Sequence, residues 1–470
     1  MLSSALLVLF FSYGHVYQVV KTVQFGGVLI GRHRILLPLW SLAAVAAAWL
    51  VLRKGADLRP MTAWLNLVSI VALCIPLATI GADMARNRAQ IRPATAPIES
   101  LGQGAPALDP STLPDVYYII PDAYGRSDIL KRDYGFDNTS FIEFLEKRGF
   151  YVADQSTSNY LASRLSLSSS LNLDYLQTIE PNLPGGGIRL EGNLLIKDSL
   201  VRRRLEALGY RTVGFATGWR PTEVFDADYV LTPGMLEADR LNQEHAFNDF
   251  ESILVASSGA LVLLDFDRLK NTPVAEYVSK RMQTRFAVQR ETILGEFENL
   301  ARVPSLPGPK FVFVHVISPH GPHLFDANGN PIEQVGPFTL AETGNEPVEV
   351  ERALYRGQAE FITKKLEVAV DAILTKSRRP VVIIVQSDHG PALGPDWRNP
   401  DAGLLNARAA ILNAYYIPAE CREQLYPTIT PVNSFRLLFG CLYGDRFPLL
   451  ADKTYFGGAD NLVPIEDVLH

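Results

Sequence analysis

The first 83 residues contain three long apolar stretches, and these constrain the fold more than any other feature of the 470-residue chain. Residues 36–52 and 61–81 contain no charged side chain, while residues 5–20 include the polar sequence SYGHVYQ. A helix needs about 20 apolar residues to cross a bilayer. We therefore predict a transmembrane region of about three helices over residues 1–83. The polar side chains of the first stretch either pack on neighbouring helices or contact lipid head groups.

Charge is distributed unevenly along the chain, whose formal net charge is −6. Residues 1–109 hold 9 Lys/Arg and 4 Asp/Glu, which gives +5. The remainder holds 44 − 9 = 35 basic and 50 − 4 = 46 acidic residues, which gives −11. An acidic main body argues against a nucleic-acid partner, because phosphate backbones need basic surface. The loops around all three apolar stretches are basic, so the positive-inside rule does not decide their orientation.

The pattern after the apolar region changes at a linker and then becomes a strand–helix alternation. Residues 84–114 are rich in Pro, Ala and Gly, which predicts a linker. From residue 115, β-branched runs such as residues 116–120, 310–317 and 381–385 alternate with amphipathic helices. This alternation predicts an α/β domain over residues 115–470 with a mostly parallel sheet sandwiched by helices.

Acidic and imidazole side chains follow three of the predicted strands. Asp122 follows the first, His320 and His323 follow the second, and Asp388 and His389 follow the third. In open α/β sheets, ligands gather beyond the carboxyl ends of the strands. Carboxylates and imidazoles together form a typical ligand set for a divalent cation. We therefore predict a metal site at this edge, although each side chain alone could be a turn or helix cap.

A serine-rich segment, SNYLASRLSLSSSLNLDYL at residues 158–176, lies between the first two of these strand ends. Most of its six serines are expected to be polar residues of a helix start. A serine at a helix N-terminus beside a cation could instead be a nucleophile. Metal coordination lowers the hydroxyl pKa, and the helix dipole stabilises the anion.

The segments DVYYIIPDAYGR, SNYLASRLSLSSSLN, FVFVHVISPHGPH and VVIIVQSDHGPA together resemble the alkaline phosphatase superfamily. Within it they are similar to the membrane-bound, sulfatase-like branch that includes lipoteichoic acid synthase and phosphoethanolamine transferases. The resemblance covers roughly residues 113–445. It implies a divalent cation (Zn, Mn, Mg or Ca) and a Ser/Thr nucleophile at a helix start.

The resemblance also implies a set of site residues. The implied metal ligands are Asp122, Ser163, Asp388 and His389. Ser163 is the implied nucleophile, although the family usually has Thr there, and His320 would contact the transferred or leaving group. The substrate-binding residues that we predict are His315, His323, Arg164 and Asn159.

The chain departs from true sulfatases at the nucleophile. Sulfatases oxidise a Cys or Ser in a C/S-x-P-x-R motif, whereas Ser163 is followed by Arg164 and Leu165 with no Pro in the motif position. This disfavours sulfate-ester hydrolysis. We predict a membrane-anchored, metal-dependent phosphotransferase or phosphodiesterase that moves a phospho-head-group onto an envelope glycan or lipid through a Ser phospho-enzyme. The alternatives are a sulfatase-like hydrolase of extracellular sulfate or phosphate esters and a catalytically inactive membrane binding module.

The resemblance further implies a bacterial-type inner membrane, several membrane passes and an extracytoplasmic catalytic domain. The expected partner is a membrane lipid or an envelope glycan. Cys421 and Cys441, 20 residues apart, could pair in an oxidising compartment, but the sequence does not show that their Cα atoms come close enough.

Overall fold

The structure is a computed structural model, and it describes most of the chain outside the linker. The described residues are 2–20, 24–25, 28–29, 33–52, short pieces between 59 and 70, 112–179, 192–233, 254–255, 257–262, 272–334, 338–340, 347–394, 400–457 and 462–468. They fall into two compact units. One comprises residues 1–95, 242–285 and 335–338, and the other comprises residues 96–241, 286–334 and 339–470. The predicted boundaries at residues 83/84 and 114/115 stay a prediction.

The first unit contains two apolar helices, α1 (Leu2–Val20) and α2 (His33–Leu52), with a short hairpin of Gln24–Phe25 and Val28–Leu29 between them. The 20-residue α2 is long and apolar enough to cross a membrane, and α1 contains the shorter apolar segment Ala5–Tyr17. The third predicted helix lies largely outside the described residues. Several apolar side chains of α2 are exposed, among them Leu42 at 67%.

Part of the polar face of α1 is packed within this unit. Tyr13 is 3% exposed, and its hydroxyl lies 2.7 Å from Nδ1 of His33. Leu36 and Val262 complete the buried cluster around Tyr13. Of the two expectations for SYGHVYQ, internal packing therefore holds at Tyr13.

The second unit is built on a seven-stranded sheet. Its strands are β1 (Asp115–Pro121), β2 (Tyr151–Val152), β3 (Arg211–Phe215), β4 (Tyr229–Leu231), β5 (Lys310–Val316), β6 (Val381–Gln386) and β7 (Asn413–Tyr416). The strand order is β2-β7-β6-β1-β5-β3-β4. Strands β6, β1, β5, β3 and β4 run parallel, and β7 and β2 pair antiparallel at one side. The predicted mostly parallel sheet is confirmed.

Helices alternate with these strands along the chain. They are α3 (Ser127–Tyr134), α4 (Thr139–Lys147), α5 (Ser163–Ser170), α6 (Leu176–Ile179), α7 (Gly192–Lys197), α8 (Leu200–Ala207), α9 (Pro273–Leu300), α10 (Val348–Lys376), α11 (Ala402–Ala409), α12 (Ala419–Arg422), α13 (Pro431–Tyr443) and α14 (Ile465–Val468). Short 3-10 turns occur at Arg220–Thr222 and Val303–Ser305, and a hairpin of Tyr455–Phe456 and Val463–Pro464 lies near the C-terminus.

Strand β1 lies in the middle of the sheet and carries apolar side chains on both faces. All seven of its residues are buried, as are all seven of β5, so helices must cover the sheet on both sides. Val116, Tyr118 and Ile120 pack into one core with aromatic residues of β5 and of α13. This buried frame fixes the carboxyl ends of β1, β5 and β6 relative to one another.

The two C-terminal cysteines form a disulfide. Cys421 in α12 and Cys441 in α13 have Cα atoms 5.6 Å apart, which is within the range that a disulfide requires. The sequence left this pairing open because only the fold brings the two helices together.

Candidate metal and nucleophile site

The site forms where β1, β5 and β6 end side by side. Pro121 pairs with Val316 and Ile119 with Val385, so the residues that follow these three strands meet at one edge of the sheet. The turn after Asp122 places Ala123 at φ 61, a conformation that non-glycine residues adopt rarely. In this turn the Ala123 N–H donates to Oδ1 of Asp388 at 3.2 Å. The strained turn therefore ties the end of β1 to the loop after β6.

Six side chains converge here, and we call them the Asp–His centre: Asp122, Ser163, His315, His320, Asp388 and His389. Nε2 of His389 lies 3.0 Å from Oγ of Ser163 and 3.5 Å from carboxylate oxygens of both Asp122 and Asp388. Nε2 of His315 lies 3.5 Å from Asp122 Oδ2 and 3.7 Å from Asp388 Oδ2. All members except Ser163 are buried, so Ser163 lies at the opening of the centre.

The three imidazole rings are each held through Nδ1. Nδ1 of His389 lies 3.0 Å from the Gly390 carbonyl, and Nδ1 of His320 lies 2.7 Å from the Gly321 carbonyl. A carbonyl only accepts hydrogen bonds, so Nδ1 carries a proton in both rings, and Nε2 is the nitrogen left to bind a cation or to exchange a proton. In His315, Nδ1 lies 3.4 Å from Thr222 Oγ1. Nε2 of His389 and Nε2 of His315 therefore face the carboxylates, at 3.5 to 3.7 Å.

The spacing of these atoms fits a divalent cation. Two overlapping groups bring their ligand atoms within 4.8 Å of one another: Asp122, His320 and His389, and Asp122, His315 and Asp388. A tetrahedral ion with bonds of about 2.0–2.2 Å needs ligand atoms about 3.3–3.6 Å apart, close to the separations around His389. Oδ2 of Asp388 and Nε2 of His315 are buried and make no hydrogen bond within the described residues. A cation would satisfy both atoms.

The pKa of Asp388 shows the electrostatic balance of the centre. Burial alone would raise this pKa, because it penalises the charged carboxylate. The charges of His389 and His315 and the hydroxyl of Ser163 outweigh burial and hold the pKa well below its usual value. The carboxylate is therefore ionised, as a metal ligand must be.

Ser163 owes its position to the start of α5. Ala162 is extended, with φ −137 and ψ 135, and its carbonyl accepts the first helical hydrogen bond from the Ser166 N–H at 2.9 Å. Ser163 is thus the first residue of the helix, where the dipole stabilises negative charge. Ser166 is 1% exposed, and its hydroxyl lies 3.3 Å from that of Ser158. Among the serines of this segment, Ser163 is the one that faces His389.

The loop after β6 is held by close backbone packing. A Cβ atom on Gly390 would lie 2.1 Å from the Ala407 carbonyl oxygen and 2.5 Å from that of Ala410, so no larger residue fits. The Ser387 hydroxyl donates to the His389 carbonyl at 2.6 Å, and the Ser158 hydroxyl donates to the Asp388 carbonyl at 2.6 Å. Gly390 therefore permits a close backbone approach at this loop.

The structure adds one cation that the sequence did not indicate, Arg408 in α11. It is 4% exposed, and one of its terminal nitrogens lies 3.1 Å from Nε2 of His389. Its Nε donates to the Leu161 carbonyl at 3.0 Å, two residues before Ser163. No motif includes Arg408, because it belongs to a helix 19 residues after His389. Only the fold places its charge beside the serine.

The four predicted substrate-binding residues differ in their burial and in their distance from the Asp–His centre. His315 is fully buried between the two carboxylates, which is the position of a ligand or a ligand support rather than of a surface contact. Arg164 is half-buried beside Ser163. His323 packs edge-on to Tyr355 and belongs to neither ligand group. Asn159 uses its side-chain amide on the backbone of Val432 and Lys453, at 2.8 and 2.9 Å, and does not join the centre.

Comparison with known proteins gives structural neighbours but no close relative. No protein-family model matches the chain, and no curated protein matches it. The C-terminal periplasmic domain of EcEptC from Escherichia coli matches with TM-score 0.46 and 12% identity over 78% of this chain and 96% of that one. A further structure of that domain is a complex with Zn, with TM-score 0.45 and 10% identity over 77% and 94%.

Two other neighbours extend the comparison. The lipooligosaccharide phosphoethanolamine transferase A of Neisseria meningitidis, an integral membrane protein, matches with TM-score 0.44 and 12% identity over 92% of this chain and 79% of that one. The 2-O GAG sulfatase BT1596 matches with TM-score 0.42 and 12% identity over 73% of each chain. The neighbours thus include a phosphoethanolamine transferase and a sulfatase. At these values the likeness does not define an activity, which depends on the residues of the centre.

Proposed function

We propose that this chain is a membrane-anchored, metal-dependent phosphotransferase or phosphodiesterase. It would transfer a phospho-head-group from a lipid to an envelope glycan or lipid, or to water, through a phosphorylated Ser163. The observation that carries the proposal is the Ser163 hydroxyl, 3.0 Å from Nε2 of His389 and at the one accessible point of a buried Asp–His set.

The residues that would hold the cation are Asp122, Ser163, Asp388 and His389, with His315 directly behind the two carboxylates. When bound, a divalent ion supplies a lowered pKa for the serine hydroxyl and positive charge opposite the phosphoryl oxygens. The fixed imidazole rings orient this ligand set in advance. The metal ion remains unspecified among Zn, Mn, Mg and Ca.

In the first half-reaction, Ser163 loses its proton to solvent and Oγ attacks phosphorus. The bond between phosphorus and the leaving oxygen breaks, and that oxygen takes the Nε2 proton of His320, which enters the step protonated on both ring nitrogens. Arg408 stabilises the charge that develops on the phosphoryl oxygens, because its guanidinium is buried beside Ser163 and held in orientation by the Leu161 carbonyl.

In the second half-reaction, the hydroxyl of the acceptor attacks the same phosphorus. His320 now accepts the acceptor's proton at Nε2, and Oγ of Ser163 leaves with its electron pair and takes back a proton from solvent. One ring nitrogen of His320 lies within 4.8 Å of the ligand atoms of Asp122 and His389, so the ring is close enough to alternate between these states. Water in place of the acceptor would make the enzyme a phosphodiesterase.

The catalytic unit is proposed to face the extracytoplasmic side of a bacterial-type inner membrane, with several membrane passes. The Cys421–Cys441 disulfide supports this side, since disulfides persist in oxidising compartments. The apolar helices would keep the centre near its lipid substrate. The intact set of buried ligands disfavours an inactive binding module, because the buried Oδ2 of Asp388, which makes no hydrogen bond within the described residues, is costly without a cation.

Mass spectrometry of the Ser163 peptide tests the proposal. The purified full-length chain is incubated with a divalent cation and phosphatidylethanolamine in nanodiscs, then digested. We expect a phosphoethanolamine adduct on Ser163 and none in Ser163→Ala, whose turnover should fall by about 10³-fold or more. Ser166→Ala is the matched control and should keep the adduct.

Turnover at a near wild-type rate in Ser163→Ala would place the nucleophile elsewhere. Phosphate and sulfate esters with the same leaving group, supplied in parallel, separate the sulfatase-like alternative. Preferential cleavage of the sulfate ester would contradict the proposed phosphoryl chemistry.

A further inference from the structure

A second concave site lies at the opposite edge of the central sheet, where β1, β5 and β6 begin. It is a cavity of about 610 Å³. We call it the basic pocket, after its charged lining residues: Asp115, Arg302, Lys310, Lys376, Arg378 and Arg379. Its volume falls within the range of about 300–1,000 Å³ that is typical of ligand sites.

The charge of the basic pocket contrasts with that of its surroundings. Five cations against one acid give a formal charge of 5 − 1 = +4. The part of the chain from residue 110 to residue 470 carries −11. A concentration of positive charge on an acidic body focuses anions at this place.

The single acid of the basic pocket is already neutralised. Lys310 and Asp115 form an ion pair in which the two side chains are 1% and 2% exposed, and Nε of Arg379 lies 3.8 Å from Asp115. The remaining cations face outwards. Arg302, Lys376 and Arg378 are exposed, and within the described residues no acidic side chain pairs with them. Their charge is therefore available to a ligand.

Two cations of the basic pocket, Arg379 and Lys376, contact backbone carbonyls. The guanidinium of Arg379 donates to the Leu113 carbonyl at 2.8 Å through one terminal nitrogen. Nζ of Lys376 lies 3.3 Å from the Ala301 carbonyl, at the end of α9. Contacts with carbonyls orient these cations without cancelling their charge. The pocket is thus partly preorganised for an anion.

The chemistry of the lining selects the kind of anion. Three of the five cations are arginines, whose planar guanidinium groups form paired hydrogen bonds with phosphate oxygens. Pro304, Leu306 and Pro307 add an apolar wall that suits the carbon part of an ester. We propose that the basic pocket binds a phosphate-bearing anion, either the head group of an anionic phospholipid or a soluble phosphate ester.

The basic pocket is separate from the Asp–His centre. Asp115 begins β1 and Asp122 follows its last residue, and seven strand residues span about 20 Å. The two sites therefore share no residue, and binding at the pocket requires neither a divalent cation nor Ser163. Failure of one proposal leaves the other intact.

Chemical labelling of Lys376 tests the binding directly. The full-length chain, stripped of divalent cations, is placed in nanodiscs and treated with a lysine-acylating reagent, and the labelling rate of each lysine is measured by mass spectrometry. The baseline uses phosphatidylcholine nanodiscs in sodium chloride. One arm adds inorganic phosphate at matched ionic strength, which keeps general screening constant. The other arm replaces part of the lipid with phosphatidylglycerol.

We expect the labelling rate of Lys376 to fall by about threefold or more in at least one arm, which corresponds to occupancy of about two-thirds. The exposed Lys131 and Lys147 serve as internal controls and should not change. Protection by phosphate alone identifies a soluble ester, and protection by phosphatidylglycerol alone identifies a lipid head group. Protection in both arms identifies a site for either source.

A charge-matched pair of variants makes the test specific. Arg302→Gln with Arg378→Gln should abolish the protection of Lys376, because both removed guanidinium groups line the basic pocket. Lys131→Gln with Lys147→Gln removes the same charge elsewhere and should preserve it. An unchanged Lys376 rate in both arms, equal protection of the control lysines, or protection that survives in the arginine variant would overturn the proposal.

Discussion

At the scale of single residues, the Asp–His centre is set up by hydrogen bonds outside the ligand atoms. His389 and His320 are oriented by the carbonyls of the glycines that follow them, and His315 by Thr222. Such supports fix the ring orientation before any cation binds. Removal of one ligand should therefore leave the other side chains in place.

Replacing one of the two adjacent ligands tests this. Asp388→Asn keeps the side-chain shape and the oxygen that accepts from Ala123 but removes the charge, and His389→Gln removes the imidazole. We expect each variant to lose affinity for the divalent cation by at least about 100-fold while its thermal unfolding stays close to wild type. Elemental analysis of the purified protein measures the bound metal. The exposed Asp128→Asn is the control, and a full complement of tightly bound ion in either variant would remove that residue from the ligand set.

Arg408 offers a second test at this scale. Arg408→Lys keeps the charge but loses the planar fork that contacts both the Leu161 carbonyl and the site. We expect kcat to fall by about 10–100-fold with little change in KM, because the contact matters most as charge develops on phosphorus. Kinetics on a soluble phosphodiester measure this. Arg204→Lys is the matched control, because Arg204 is likewise buried and pairs with Asp445 outside the Asp–His centre, and an equal loss in both variants would indicate a general effect of the substitution.

The sequence predicted some members of the centre better than others. Asp122, Asp388 and His389 directly follow strands, so their common edge could be inferred from the strand pattern alone. His315 lies inside strand β5. Which face of the sheet its side chain lies on, and which residues of β1 it meets, depend on the register of β5 against β1, and no local sequence pattern reveals that register. Arg408 depends on where α11 packs, which is a tertiary property.

At the scale of elements, the three strands β1, β5 and β6 were predicted within one residue at each end, whereas the short strands β2, β4 and β7 and the connections were not predicted. Strand β6 spans Val381–Gln386 against a prediction of residues 381–385, since a run of buried β-branched residues has few alternatives. The pairing of α12 with α13 through Cys421 and Cys441 could not be inferred, because it depends on the course of the chain between two helices.

The disulfide should stabilise the C-terminal part of the catalytic unit. It closes a loop with a sequence separation of 20, for which the chain-entropy model gives about 3 kcal/mol. Cys421→Ala with Cys441→Ala should therefore lower the midpoint of thermal unfolding by several degrees, and reductant should do the same to the wild-type chain. Cys74→Ala is the control. No shift in either experiment would show that the bridge does not form in the folded protein.

At the scale of the whole molecule, the chain does not divide at one point. Residues 242–285 belong to the same compact unit as residues 1–95. Val262, for example, packs with Tyr13 and Leu36. No periodicity in the sequence could have indicated this, because it results from contacts between distant segments.

A fragment beginning near residue 110 tests how the two units share the work. We expect it to retain the sheet and to cleave soluble phosphodiesters, but to need mild detergent because Val262 loses its apolar partners. Its rate on lipid substrates should fall relative to its rate on soluble ones, since removing the helices lowers the effective concentration of the site at the membrane. The measured quantity is the ratio of the two rates for full length and fragment. An unchanged ratio would make the helices a passive anchor and favour a soluble glycan substrate.

Strand β1 connects the basic pocket to the Asp–His centre. The two strands beside it determine whether binding at one site can move the other. It is bonded along its length to β5 on one side and to β6 on the other. Because β1 is hydrogen-bonded on both sides, any shift along its axis would break both sets of hydrogen bonds at once. The strand therefore holds the two sites at a fixed distance and does not transmit movement between them. An anion bound in the basic pocket would therefore lengthen the residence time of the enzyme at a surface and leave its turnover number unchanged.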